Sequence, residues 1–174
     1  SPRLEKIMDD FITLISRTQE DDGYIYTYNQ IHFPKVRWAN LQIEHELYCH
    51  GHLIEAGVSH YRSTGDMKLL GIAQKAADRI AADFQGKGPN YTPGHQEIEI
   101  ALLRLHQVTD RAEYLELARQ FIQQRGGDRK FAFQIFQQNA SVARREKEVK
   151  ARRQDHIDSH PGFKPFQVPS GNQS

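Results

Sequence analysis

Apolar residues recur along the chain at helical spacing, and this pattern predicts an all-α protein. The first stripe predicts a helix that ends near Arg17 and consists of Leu4, Ile7, Met8, Phe11, Leu14 and Ile15. The same spacing predicts helices over residues 41–61, 67–86, 96–108 and 111–124, each followed by glycine or a polar turn. A charged helix is predicted over residues 140–154.

Two pairs of these predicted helices resemble each other at an offset of 45 residues, which aligns Thr64 with Thr109. The offset also aligns Leu70 with Leu115, Ile72 with Leu117 and Ala73 with Ala118. A single helical hairpin cannot bury its own apolar face, so a repeated hairpin is typical of a helical array or a closed α/α toroid.

The remaining segments give weaker signals. Residues 24–28 predict an extended segment, and residues 34–38 predict a loop or short strand rich in aromatic side chains. Those aromatic side chains could line a carbohydrate site or could pack under a loop. We divide the chain into residues 1–127, which hold the helical hairpins, and residues 128–174, a basic helix and extended tail that continue the same domain.

Composition narrows the function classes. The 174 residues, 38% of them hydrophobic, suit one domain or part of a larger one, and the net charge is +1. Residues 125–153 carry a net charge of +6, but acidic residues interrupt them; a solvated helix face is therefore favoured over nucleic-acid binding. No membrane-length apolar run and no secretory leader is visible, which favours a cytoplasmic location.

Histidines and carboxylates concentrate in residues 44–52, around the single cysteine, Cys49. One cysteine excludes an internal disulfide and a zinc site built from several thiolates of this chain. His45, Cys49 and His52 could still form a mixed zinc site, although packing is the more ordinary role for a lone cysteine. The HExxH metalloprotease motif is not completed, because Cys49 stands where its second histidine would be.

A second polar segment spans residues 93–99 and contains Gly94 and His95. Glycine allows the backbone to approach a ligand closely, and His95 would lie at the start of a helix, facing the mouth of a helical barrel. The alternative is that His95 caps this helix while Glu97 and Glu99 interact with its positive end.

The chain resembles glycoside hydrolase family 127, the β-L-arabinofuranosidase-like proteins. The likeness is dense from about residue 4 to 126, and the motifs that carry it are HELYCHGHLIEA (45–56), PGHQEIE (93–99) and YLELA (114–118). It implies an incomplete part of an (α/α)6 toroid, with His45 and His95 as sugar-contacting residues. It also implies a carbohydrate substrate of the arabinofuranoside type.

The same resemblance implies that catalysis uses a cysteine nucleophile on zinc and a glutamate acid/base in the later half of the family. The matched segment has no counterpart of that cluster, so we expect no catalytic residue, metal ligand or cofactor in this chain and no activity from it alone. An open helical array exposes a face that the rest of the barrel would cover, which predicts either self-association through that face or poor stability of the chain alone. The alternative function is a non-catalytic α-hairpin binding module; neither function requires nucleic acid or a membrane.

Overall fold

The computed structural model describes residues 1–127 and 130–160, and this part of the chain forms seven α-helices and no strand. The all-α prediction is therefore confirmed. The helices, in chain order, are α1 Pro2–Thr18, α2 Thr27–His32, α3 Glu46–Thr64, α4 Lys68–Phe84, α5 Glu97–Thr109, α6 Ala112–Gln124 and α7 Phe131–Ser159. A short 3-10 turn, Pro89–Tyr91, lies between α4 and α5.

Helices α3 to α6 form two consecutive antiparallel hairpins. In each hairpin the chain reverses through a left-handed residue, Gly65 at φ 75° and Asp110 at φ 55°, 45 positions apart. The amide of each left-handed residue donates to a carbonyl four residues earlier, which closes the last helical turn. In the α3–α4 turn, Asp66 accepts a hydrogen bond from the Lys68 amide at 2.8 Å and so caps α4.

The core lies between these two hairpins. Helix α3 packs against both α4 and α5, and α5 packs against α6. Small residues allow the close approach: a Cβ on Gly57 would lie 2.7 Å from the Ala73 Cβ and 3.0 Å from the Leu69 carbonyl oxygen. The fully buried apolar side chains of this core include Ile54, Ala73, Ile80, Ile98, Leu102, Leu105, Leu117, Ala118 and Phe121.

The predicted apolar stripe of α1 is mostly exposed. Only Ile12 of this helix is buried, where it packs against Leu69 and Ile72 of α4. Five of the six predicted stripe residues are 42–66% exposed, namely Leu4, Ile7, Met8, Phe11 and Leu14. The sixth, Ile15, is partly buried and packs beside Ile12. This exposed face is consistent with the self-association expected of an open helical array, which stays a prediction.

Two local predictions are wrong. Residues 24–28 are not one extended segment, because α2 begins at Thr27. The Gln30 side-chain carbonyl accepts a hydrogen bond from the Tyr26 amide at 2.9 Å and caps this short helix. The charged helix is also longer than residues 140–154, because α7 spans 29 residues. The 34–38 stretch is loop, which is one of the two alternatives predicted for it. The predicted tail beyond His160 lies outside the described residues.

The basic stretch is not simply a solvated helix face. Arg145 is buried, and it donates to the Glu44 carboxylate at 2.5 Å and to the Asn29 side-chain oxygen. Its guanidinium carbon also lies 4.2 Å from the centre of the Phe33 ring. Arg145 therefore fastens α7 to α2 and to the loop before α3, while the neighbouring Arg144 stays exposed.

Candidate functional site

A small cavity of about 120 Å³ opens where α3 and α5 begin. The two segments that enter these helices form its walls. Its lining residues are Leu41, Gln42, Ile43, Glu44, His45, Leu47, Tyr48, Pro93, Gly94 and His95. The two histidines singled out from the sequence thus border one cavity, although 50 residues separate them in the chain.

Tyr48 is the centre of this site. Its ring lies edge-on to three imidazoles, with ring centroids 5.4 Å from His45, 4.6 Å from His95 and 4.3 Å from His52. An aromatic ring next to hydrogen-bonding imidazoles offers an apolar face together with polar groups, a combination that suits a sugar. The sequence analysis did not single out Tyr48. Its spacing of three residues from His45 and four from His52 could have indicated it, because residues at these spacings share one face of a helix.

Gly94 brings the two walls of the cavity together. A Cβ at this position would lie 2.5 Å from the carbonyl oxygen of Gln42 and 3.0 Å from its Cα, both backbone atoms. The Gly94 amide donates to the Leu41 carbonyl at 3.0 Å, and the Gln42 side chain donates to the Thr92 carbonyl at 2.7 Å. The close approach predicted for Gly94 is therefore made to another backbone segment of this chain.

His95 caps α5, because its Nδ1 accepts the Glu97 amide at 3.1 Å. Its backbone is held by Arg125, which donates to the His95 carbonyl at 3.0 Å and to the Pro93 carbonyl at 2.9 Å. Arg125 also pairs with the buried Glu99 carboxylate at 2.5 Å. Burial raises the Glu99 pKa, and the Arg125 charge opposes this rise. His95 thus accepts a hydrogen bond at the start of α5 and also lines the cavity, while the sugar contact expected of it stays a prediction.

A buried polar network lies behind His45. The Glu46 carboxylate accepts hydrogen bonds from the Tyr24 hydroxyl and, at 2.8 Å, from the Trp38 amide. Burial raises the pKa of Glu46, and it also raises that of Tyr24 with help from the nearby carboxylate. His50 is buried beside them with Nδ1 2.8 Å from the Glu46 carbonyl oxygen, and desolvation lowers its pKa to about 4.

Cys49 shows no sign of activation. The residue is exposed, and partial desolvation followed by the charge of Glu46 raises its thiol pKa. A thiol whose pKa is raised holds little thiolate, the form that binds metals and attacks carbon. Among the described residues, His45, Cys49 and His52 do not come together as a metal-binding group, so the mixed zinc site considered from the sequence is not formed.

Comparison with known proteins identifies the family of this arrangement. The family model for the β-L-arabinofuranosidase GH127 catalytic domain matches residues 1–164. The chain belongs to this family. A curated relative, the non-reducing end β-L-arabinofuranosidase of Bifidobacterium longum subsp. longum, is 38% identical over 137 residues. The match covers 75% of this chain and 21% of the relative.

Solved GH127 structures share the fold. A GH127 β-L-arabinofuranosidase from Geobacillus stearothermophilus T6 superimposes with a TM-score of 0.72 at 45% identity, over 82% of this chain and 22% of that one. A second GH127 β-arabinofuranosidase gives a TM-score of 0.67 at 36% identity, over 74% of this chain and 22% of that one. The chain thus spans about a fifth of the length of these relatives and corresponds to their N-terminal part.

These comparisons confirm the resemblance noted from the sequence and the partial toroid that it implies. The zinc implied by the resemblance does not fit the residues present here, since that site needs several thiolates and this chain has Cys49 alone. In the described residues, no helix is both long and apolar enough to cross a membrane.

Proposed function

We propose that this chain forms the sugar-contacting wall of a GH127 β-L-arabinofuranosidase, and that His45 and His95 bind a terminal arabinofuranosyl group. The observation that carries the proposal is the convergence of both imidazoles on the Tyr48 ring at the rim of one cavity. Three of the relatives are named as arabinofuranosidases, and their names supply the sugar class.

Each residue has a distinct part in this binding. The Tyr48 ring gives an apolar surface for the C–H face of a furanose, and the two imidazoles exchange hydrogen bonds with its hydroxyls. Arg125 acts through His95, because it holds the His95 and Pro93 carbonyls in place. The binding geometry is therefore set before the sugar arrives, which reduces the entropy lost on binding.

Catalysis is assigned to other parts of the hydrolase. The resemblance places the nucleophile and the acid/base beyond the matched segment, and Cys49, with its raised pKa, is a poor substitute for either. We expect the chain to bind the sugar weakly and not to hydrolyse its glycosides. The chain then positions the substrate for residues that it does not itself contain.

The test is a calorimetric titration with methyl β-L-arabinofuranoside. His45→Ala and His95→Ala should each weaken binding about three- to tenfold, the effect of losing one hydrogen bond worth about 1 kcal/mol. His106→Ala is the control, because His106 lies near the opposite end of α5 from His95. Binding that is unaffected by both site variants would favour the alternative, a binding module that uses another surface.

A further inference from the structure

Tyr48 contacts an imidazole that does not line the cavity, that of His52. The ring centroids of Tyr48 and His52 lie 4.3 Å apart, and the two ring planes meet at 88°. The corresponding values for Tyr48 and His95 are 4.6 Å and 76°. Edge-on ring pairs at such short distances are favourable beyond the area that they bury. The orientation of the Tyr48 ring therefore depends on His52 as well as on His95.

Glu97 orients His52. The His52 side chain is 52% exposed, so packing alone does not fix its ring. Its Nδ1 lies 3.2 Å from Glu97 Oε1, and the Glu97 side chain is only 12% exposed. A carboxylate that pairs with one nitrogen of an imidazole sets the orientation of the ring, because the two nitrogens are not equivalent. The pair with Glu97 therefore fixes the ring of His52 beside Tyr48.

The packing of α3 against α5 holds Glu97 in turn. A Cβ on Gly51 would lie 2.7 Å from the Glu97 Cγ and 3.1 Å from its carbonyl carbon, so the two helices meet here with no side chain between them. The Glu97 amide donates to His95 Nδ1 at 3.1 Å. These contacts form a closed circuit, which runs through Tyr48, His52, Glu97 and His95.

We propose that His52 and Glu97 are positioning residues of the sugar site: Glu97 orients His52, and His52 holds the Tyr48 ring where the furanose stacks. This role rests on the proposed function, in which Tyr48 supplies the apolar surface for the sugar. A ring that is already held in its binding orientation loses less entropy when the sugar arrives. His52 and Glu97 act through Tyr48, since neither of them lines the cavity.

A second pair on the same two helices provides a matched control. Arg104 of α5 pairs with Glu55 Oε1 of α3 at 2.6 Å. Glu55 lies seven residues beyond Tyr48, which is about 10 Å along the helix. Breaking this pair should weaken the contact between α3 and α5 without releasing the Tyr48 ring. The control therefore separates positioning of Tyr48 from general packing of the two helices.

The first experiment is a calorimetric titration with methyl β-L-arabinofuranoside. Glu97→Ala and His52→Ala should each weaken binding about two- to tenfold, the range expected for loss of one aromatic edge contact. Because Glu97 acts through His52, the double variant should bind no more weakly than His52→Ala alone. Glu55→Gln should bind like wild type.

A measurement without sugar tests the same contacts. Nuclear Overhauser effects between the ring protons of Tyr48 and His52 should be present in wild type and in Glu55→Gln and should be lost in Glu97→Ala. Circular dichroism verifies that each variant is folded. Should Glu97→Ala unfold, His52→Ala still decides the question through its sugar affinity, because His52 is half-exposed on the surface of α3.

Three results would overturn the positioning role. They are a Glu97→Ala variant that keeps both its sugar affinity and the ring contacts of Tyr48, a double variant whose loss equals the two single losses combined, and a Glu55→Gln variant that loses as much affinity as Glu97→Ala. Failure of the proposed function is a different result, because wild type would then not bind the sugar at all. The ring contacts between Tyr48 and His52 alone would then decide whether Glu97 holds them.

Discussion

Replacing Gly94 by alanine tests whether the cavity depends on backbone contact between its two walls. The new Cβ would lie 2.5 Å from the Gln42 carbonyl oxygen and 3.0 Å from two further Gln42 backbone atoms, so no flexible side chain can move aside. Overpacking of this kind costs about 1–3 kcal/mol. Separating the walls also lengthens the Gly94–Leu41 hydrogen bond, which is worth about 1 kcal/mol.

A total near 3 kcal/mol corresponds to a fall in melting temperature of about 6–12 °C for a chain of this size. The assay is thermal unfolding followed by circular dichroism, together with the sugar titration. Gly88→Ala is the matched control from the same connection: its backbone is extended, with φ −80°, and a Cβ there meets nothing within 4 Å. That substitution should stabilise the protein slightly, by about 0.4–1 kcal/mol.

The reasoning would be refuted if Gly94→Ala lowered the melting temperature by less than about 2 °C or matched Gly88→Ala. Sugar affinity gives a second readout of the same contact. We expect Gly94→Ala to weaken binding because His95 follows directly on the displaced segment. Unchanged affinity together with an unchanged melting temperature would show that the walls separate freely.

Two further predictions concern buried charges. Arg145→Met should lower the free energy of unfolding in urea by about 3 kcal/mol, because it leaves the Glu44 carboxylate buried without its cation. Arg144 is exposed, so Arg144→Met should change this free energy by less than about 0.5 kcal/mol. Equal effects of the two substitutions would contradict the ion pair. Folding lowers the His50 pKa from 6.5 to about 4, so the unfolded chain binds more protons than the folded protein between these pH values, and the stability should fall as pH falls from 6.5 toward 4. His50→Gln should make the plot of stability against pH flatter over this range, because Glu46 is present in both proteins. Identical plots for the variant and the wild type would contradict the assignment to His50.

The spacing of apolar residues was sufficient to predict the hairpin helices, because each of these helices buries the apolar face that its own sequence defines. The predicted boundaries of α5 and α6 differ from those in the structure by one residue. Helix α3 begins later than residue 41, because residues 41–44 form the turn that meets Gly94. The Gly94 amide bonds to the Leu41 carbonyl 53 positions earlier, and no local sequence pattern predicts a contact at that separation.

The missed features depend on distant partners in the same way. Arg145 stands in a basic run whose composition predicts exposure, yet residues 101 and 116 positions earlier bury it. The meeting of His45 and His95 was expected only from the family resemblance, since spacing alone favoured a helix cap at His95. Their shared contact with Tyr48 requires α3 and α5 to pack side by side, which is a property of the tertiary fold.

The ion pair between Arg145 and Glu44 also affects the order in which parts of the protein fold during synthesis. The hairpins of α3 to α6 contain short-range contacts and can pack as they leave the ribosome. Glu44 lines the cavity, and its partner Arg145 is synthesised 101 residues later. This separation corresponds to a delay of roughly 5–20 s at ordinary rates of synthesis. The cavity wall that contains Glu44 can therefore make this contact only after Arg145 has been synthesised.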